Sequence, residues 1–365
     1  MKKTKSVTLT ITHQCNLDCI YCYEKNKNNE RMSFDTAKKI IDAEMNKNDG
    51  TDKVQIDFFG GEPFIAFELF KKVYDYLKKN NWKKDWKCLI TTNGTLLTDE
   101  RKQWLIHEKE KVTCGLSLDG TKEIHDYNRS NSYDKIDLDF FKKVYPNQPV
   151  KMTVSPEKLD KLAEGIIDIH EKGFLVTANL AEGVDWINTR NLEILNRELK
   201  KLIDYYLTHP ECEVCSMLKM GVEFLQSGDL EVIPKYCGSG THMFTYDTDG
   251  KCYPCQFFMP LSVGKKRALQ SKDVDFPENI KVEKLDEKCQ QCCIKAMCPT
   301  CLGINYFNTN NFFQKNEAYC NLIKIQFRAT AYLKYLQWKR GMYQLSDTQE
   351  YYLLSGIKLI QEELF

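Results

Sequence analysis

Three cysteines, Cys15, Cys19 and Cys22, stand four and three residues apart in the stretch CNLDCIYC. Three is odd, and the intervals are too short for disulfides to close useful loops. The spacing instead suits three thiolates turned onto one centre. Three ligands fill three corners of a four-iron cluster and leave one iron open to another ligand. Zinc at the same place needs a fourth protein ligand, for which His13 is the neighbouring candidate. A second crowding, from Cys237 to Cys320, holds nine of the sixteen cysteines. Within it, CQQC (Cys289, Cys292) and CPTC (Cys298, Cys301) also have zinc-pair spacing.

Composition narrows the class. The chain has 365 residues, enough for one large and one smaller domain, and a net charge of +1. Bulk electrostatics therefore draws it to neither nucleic acid nor a membrane surface. The start, MKKTKSVTLTIT, lacks the long apolar core of a signal peptide or membrane span, so a cytoplasmic location is expected. Sixteen cysteines in such a protein point to metal or redox chemistry rather than a disulfide framework.

The elements that must position these thiols alternate up to about Pro210. Apolar strand-like runs (SVTLTIT, VQIDFFG, KCLITTN, VTCGLSL, VKMTVS, LVTANL) are each followed by a helix-like segment, giving six strand–helix units. Ser33 and Thr98 read as N-caps and Gly173 as a C-terminal stop. Such a series predicts an α/β fold with a parallel sheet and right-handed crossovers. Six units fall short of the eight of a full barrel, and an open doubly wound sheet gives the same pattern. Cys15, Cys19 and Cys22 fall in the loop after the first strand, where parallel sheets place their sites. From about Val222 the periodicity breaks down into a loop-rich segment that needs metal to hold its shape. Two amphipathic helices follow Cys320.

The spacing CNLDCIYC, with Tyr21 before the third cysteine, resembles the CxxxCxxC signature of the radical S-adenosylmethionine (radical SAM) enzymes. In that family the open iron is chelated by S-adenosylmethionine, whose reductive cleavage gives a 5′-deoxyadenosyl radical. FFGGEP (Phe58 to Pro63) resembles the family's glycine-rich motif, which implies cofactor contacts at Gly60, Gly61 and Glu62. TTNGT and LSLDG close the third and fourth strands, and the resemblance implies cofactor contacts at Asn93 and Ser117, with Tyr21 beside them. HDYNR (His125 to Arg129) matches the peptide-modifying branch; Arg129 reads as a substrate or cofactor ligand, or as an exposed surface residue.

The later cysteines resemble the SPASM extension of this family, which holds two auxiliary clusters. The resemblance assigns Cys237, Cys255 and Cys301 to the first and Cys289, Cys292, Cys298 and Cys320 to the second. Two residues separate Cys298 from Cys301 where the pattern commonly has three. No cysteine follows closely after Cys237, so Cys252 is a candidate additional ligand, with His242 or an open iron as alternatives. The implied architecture is a partial (β/α)6 TIM-like barrel (1–221), a SPASM domain (222–325) and C-terminal helices (326–365). The implied cofactors are S-adenosylmethionine and three [4Fe-4S] clusters.

The resemblance implies a maturase of ribosomally made peptides that forms a thioether or carbon–carbon crosslink. Its partners would be a peptide or protein substrate, a flavodoxin- or ferredoxin-type reductant and a separate leader-binding protein. Anaerobic sulfatase maturation, oxidising Cys or Ser to formylglycine, ranks second. There an aspartate follows the YPC cysteine as general base, whereas this chain has Gln256, an amide that accepts no proton at neutral pH. Peptide epimerisation needs a hydrogen donor, and Cys212, Cys215, Cys252 and Cys293 are unassigned. A non-catalytic metal scaffold is the alternative of another class, although it needs no glycine-rich cofactor motif.

Overall fold

The computed structural model describes residues 3–225, 228, 230–271 and 276–364. They fall into two compact units. The first comprises Met1–Leu118, His125–Val150 and Cys237–Pro277, and the second Asp119–Ile124, Lys151–Tyr236 and Glu278–Phe365. The segments 237–277 and 278–325, expected within one cysteine-rich domain, thus belong to different units.

The first unit is built on β1 (Thr4–Thr12), β2 (Lys53–Gly60), β3 (Asp85–Thr92) and β4 (Val112–Leu116). Each pairs in parallel with its neighbour in sequence. Between them run α1 (Phe34–Asn46), α2 (Phe67–Lys79) and α3 (Asp99–Glu108). β1 is buried over nearly its whole length, as a central parallel strand must be. Ser33 caps α1 by accepting from the Thr36 amide at 3.0 Å, and Thr98 caps α3. The apolar face of α2 meets α3 through edge-on rings, Phe70 and Tyr74 lying 5.0 and 5.1 Å from Trp104.

Two further strands join this sheet from the cysteine-rich segment, where the sequence pattern shows none. β8 (Met243–Tyr246) pairs in parallel with the free edge of β1, and β9 (Cys252–Tyr253) pairs antiparallel with β8. The hydrogen-bonded order is β4-β3-β2-β1-β8-β9, an open sheet.

In the second unit, β5 (Val150–Val154) and β6 (Val176–Leu180) form a two-stranded sheet, with α6 (Leu162–Glu171) and α7 (Arg190–Thr208) completing the fifth and sixth strand–helix units. Gly173, at φ 83°, ends α6 in the left-handed conformation expected of it. β7 (Val232–Pro234) pairs antiparallel with β10 (Asn279–Lys281). The helix Glu317–Lys339 starts before Cys320, not after it, so Cys320 lies in its first turn. With Asp347–Leu364 it closes a core of Val222, Ile294, Ile323, Phe327 and Ile360, against which Cys292, Cys293 and Cys298 pack. Among the described residues no helix is long and apolar enough to cross a membrane.

Candidate functional site

β1 ends at Thr12, and the chain turns at once into the loop that carries Cys15, Cys19 and Cys22. The loop is held from below by FFGGEP. The Gly61 amide donates to Thr12 O at 3.2 Å and the Glu62 amide to Gln14 O at 2.8 Å. A Cβ on Gly60, whose φ is 144°, would stand 2.0 Å from Thr12 O; one on Gly61 would stand 2.3 Å from Gln14 O and 2.8 Å from the Cys15 Cβ. The close approach these glycines permit is therefore that of the cysteine loop's own backbone.

Glu62 is buried, and its carboxylate accepts from Thr92 Oγ1 and the Asn93 amide at 2.8 Å and from the Phe64 amide at 3.1 Å. Burial raises its pKa, against the lowering effect of these donors. The side chain thus ties the end of β2 to the end of β3. Asn93 in turn donates from Nδ2 to Asn16 Oδ1 at 3.0 Å, linking the β3 end to the cysteine loop. The Ser117 amide donates to Thr92 O at 2.9 Å, which brings the β4 end alongside.

The loop's other flank is the HDYNR segment. The Ile20 amide donates to Asn128 O at 3.1 Å and the Asp18 amide to Ser130 Oγ at 3.0 Å. Arg129 is buried, with its guanidinium 5.4 Å from the centroid of the buried Tyr21 ring. The surface-arginine reading of Arg129 does not hold.

The three thiols share one cationic neighbour, Lys27, which lies within electrostatic range of Cys22, Cys15 and Cys19. Burial pushes the Cys15 thiol up to about 11 and raises that of Cys22. Loading a metal here would therefore release protons. Among the described residues no three His, Cys, Asp or Glu side chains close on a single ion.

The next residues in the loop were not singled out by their types or spacing. Tyr23 lies against Phe257, ring centroids 4.4 Å apart. Both Cys22 and Cys255 are close enough to raise its pKa, after burial, the largest cause. Glu24 is buried, and burial pushes its carboxyl up to about 8. His13 is buried with Nε2 2.6 Å from Asp247 Oδ1, so it serves the hairpin that follows β8.

Cys237 and Cys255 are neighbours in the first unit, where burial pushes the Cys255 thiol up to about 12. Cys301 belongs to the second unit. His242 lays its ring against Gly238, the residue after Cys237. Cys252 points elsewhere: it stands opposite Tyr246 in the β8–β9 pair and lies near Glu44, Lys5 and Lys47. Strand geometry explains this, since it lies three positions before Cys255 and odd spacing sends the side chains to opposite faces.

Cys289, Cys292, Cys298 and Cys320 line one cavity of the second unit, with Lys288, Lys295, Lys315 and Lys324 around them. Lys315 Nζ donates to Cys298 Sγ at 2.5 Å. A thiol-rich wall studded with ammonium groups fits a thiolate-ligated cluster, which carries net negative charge. Cys293 is hydrogen-bonded to Cys292 and holds that thiol below its ordinary range. Among the remaining cysteines, Cys88, Cys114 and Cys215 are fully buried, and Cys212 meets the Tyr205 hydroxyl at 3.5 Å.

Residues 9–181 match the family model described as the Radical SAM superfamily. An uncharacterised protein of Methanocaldococcus jannaschii is 41% identical over 128 residues, 34% of this chain and 42% of that protein. The chain thus spans less than half of that relative. A cysteine-type anaerobic sulfatase-maturating enzyme of Clostridium perfringens is 25% identical over 340 residues, 78% of this chain and 84% of that enzyme. Among solved structures, native anSMEcpe with bound AdoMet and Cp18Cys peptide superposes with a TM-score of 0.70 at 20% identity, covering 93% of this chain and 100% of that one. The fold is accordingly that of anSMEcpe, and residues 9–181 carry a radical SAM domain.

Proposed function

We propose that this chain, which carries a radical SAM domain over residues 9–181, is a maturase that removes hydrogen from a ribosomally made peptide and leaves a thioether or carbon–carbon crosslink. The observation that carries this reading is the second gathering of thiols. Four cysteines and four lysines line one cavity, in a chain whose Cys15–Cys22 loop already presents three thiols beside Lys27.

When bound, S-adenosylmethionine and its four-iron cluster supply hydrogen abstraction by a carbon-centred radical. The chain's residues bind and orient. Cys15, Cys19 and Cys22 hold three irons, and Gly60 and Gly61 let that loop seat. Glu62 and Asn93 lock the strand ends beneath it, and Tyr21 and Ser117 complete the cofactor's surroundings. Arg129, packed on Tyr21, fixes the opposite flank of the loop. Cys289, Cys292, Cys298 and Cys320 would hold an auxiliary cluster, and Cys237 and Cys255 would give thiolates to a further one. A flavodoxin- or ferredoxin-type protein delivers the electron, and a separate protein presents the peptide's leader.

Sulfatase maturation is the second reading, favoured by similarity to the Clostridium perfringens enzyme over most of both chains. Against it stands Gln256, whose amide has no basic oxygen to take a substrate proton.

The test is anaerobic reconstitution followed by reduction with S-adenosylmethionine. The reading expects about twelve irons per chain, four at each of three sites, and release of 5′-deoxyadenosine. A short Cys-containing peptide encoded beside this gene should lose the mass of two hydrogens. Iron near four per chain together with bound zinc would overturn the auxiliary-cluster assignment. Unchanged peptide mass alongside 5′-deoxyadenosine release would overturn the crosslinking assignment for that peptide.

A further inference from the structure

Lys315 is placed with unusual care for a lysine. It lies in the segment between the helices Leu302–Thr309 and Glu317–Lys339. Phe312 stacks on Tyr306 with ring centroids 4.8 Å apart and an interplanar angle of 5°, and Asn305 Nδ2 donates to Phe312 O at 2.8 Å. One residue after Lys315, Asn316 caps the second helix by accepting from the Ala318 amide at 3.0 Å. These contacts pin the backbone on both sides of Lys315. The same helix start also sets Cys320.

From this position Nζ reaches Cys298 Sγ at 2.5 Å and lies within electrostatic range of Cys289 and Cys320. Among the described residues it has no carboxylate partner: the nearest acidic residue in sequence, Glu317, pairs with Lys288 at 3.1 Å. A partly buried ammonium whose hydrogen bond among the described residues goes to a neutral thiol is poorly compensated. The compensation appears once the four sulfurs are thiolates around iron.

We propose that Lys315 is a positioning residue that makes the cluster held by Cys289, Cys292, Cys298 and Cys320 easier to reduce. The inference rests on the auxiliary-cluster part of the proposed function. Potentials of such clusters follow net charge and hydrogen bonds to the sulfurs. Reduction adds one negative charge to a site already anionic. A fixed cation hydrogen-bonded to a ligand sulfur stabilises the reduced state more than the oxidised state, so the potential rises. Lys324 and Lys295 line the same cavity, but Lys295 Nζ is already given to Gln290 O at 2.9 Å. Lys315 is the lysine with a direct sulfur contact.

The experiment uses the full-length chain with Cys15, Cys19 and Cys22 changed to Ala, reconstituted anaerobically and titrated with a mediated reductant under electron paramagnetic resonance. The auxiliary reading expects about eight irons and two reduction waves. In Lys315→Met one wave should move to lower potential. At fixed ambient potential its reduced-to-oxidised ratio should fall about tenfold, equivalent to ~59 mV for one electron, while the other wave stays. Lys315→Arg, which keeps the charge, should restore the parent value. Two waves at parent potentials in Lys315→Met would overturn the proposal while leaving the auxiliary clusters standing. Four irons or fewer with lysine present would instead overturn the cluster reading itself. Should Lys315→Met fail to load iron, Lys315→Gln and Lys315→Arg are compared: a lowered wave in Gln alone supports the proposal, and equal waves overturn it.

Discussion

Tyr23 and Phe257 lie ring against ring with centroids 4.4 Å apart, joining the residue after Cys22 to the second residue after Cys255. The tyrosine is close enough to both thiols for each to raise its pKa. Gln256, between Cys255 and Phe257, places a neutral amide rather than a carboxylate in this bridge between two cysteine segments.

That bridge carries the first prediction. Offered a sulfatase-type CxPxR peptide with S-adenosylmethionine and reductant, the protein should release 5′-deoxyadenosine but produce no formylglycine, as followed by peptide mass spectrometry. Multiple turnovers to formylglycine would reverse the ranking of the two functions.

Gly61→Ala should dismantle the first site selectively. The new Cβ would meet a backbone oxygen, Gln14 O, at 2.3 Å, and a carbonyl in the cysteine loop yields only by moving the loop. Iron should fall by about four per chain, a single cluster's share, with 5′-deoxyadenosine release reduced at least a hundredfold, a loss of roughly 3 kcal/mol of transition-state stabilisation. Loss of all iron would mean a general folding failure instead.

Cys252→Ala should leave every cluster signal as it was. The thiol is turned to Tyr246, Glu44 and Lys5 rather than to Cys237 and Cys255. A thiol-bearing peptide added to the parent should perturb the first auxiliary signal if that site keeps an open iron. A changed signal in the alanine variant would return Cys252 to the ligand set.

Asp49 gives a prediction in pH. It accepts from the buried Lys84 at 2.7 Å and pairs with the buried Lys5 at 3.3 Å. Burial alone would raise its pKa, but the bonds from Lys84, Thr51 and Lys5 outweigh it and hold the carboxyl well below the usual range. A depressed folded-state pKa contributes stability above the unfolded value near 4 and loses it as pH falls through the folded value. Asp49→Asn should cost about 3 kcal/mol at pH 7, having left two buried ammonium groups short of a partner. Urea midpoints of parent and variant should converge between about pH 4 and pH 2. A constant gap across that range would assign the loss to packing.

Much of the architecture was legible because it is periodic or capped. Six strand–helix units, the caps Ser33 and Thr98 and the stop at Gly173 all follow from local chemistry that neighbours do not override. β8 was not legible, since four residues, MFTY, are too few to display a period, and their pairing with Ser6–Leu9 is set by residues more than two hundred positions away. Gly60 and Gly61 announced a close approach but not to what, because a missing side chain carries no address. Lys27 and Lys315 carried no signal at all: a lysine beside a cysteine motif looks like any solvated lysine until the backbone turns it inward.

The pairing of β8 with β1 also sets a clock. β1 is finished after twelve residues, yet the strand that covers its second edge ends at Tyr246. At ~5–20 residues per second, a ribosome needs on the order of ten to fifty seconds to make that interval. Through it β1 offers an unpaired row of amides and carbonyls to any other nascent strand. The loop that carries Cys15, Cys19 and Cys22 hangs from the end of that open strand. Iron delivered before residue 246 has emerged meets a half-built cradle, which makes the timing of metal supply relative to translation, as well as its amount, a determinant of yield.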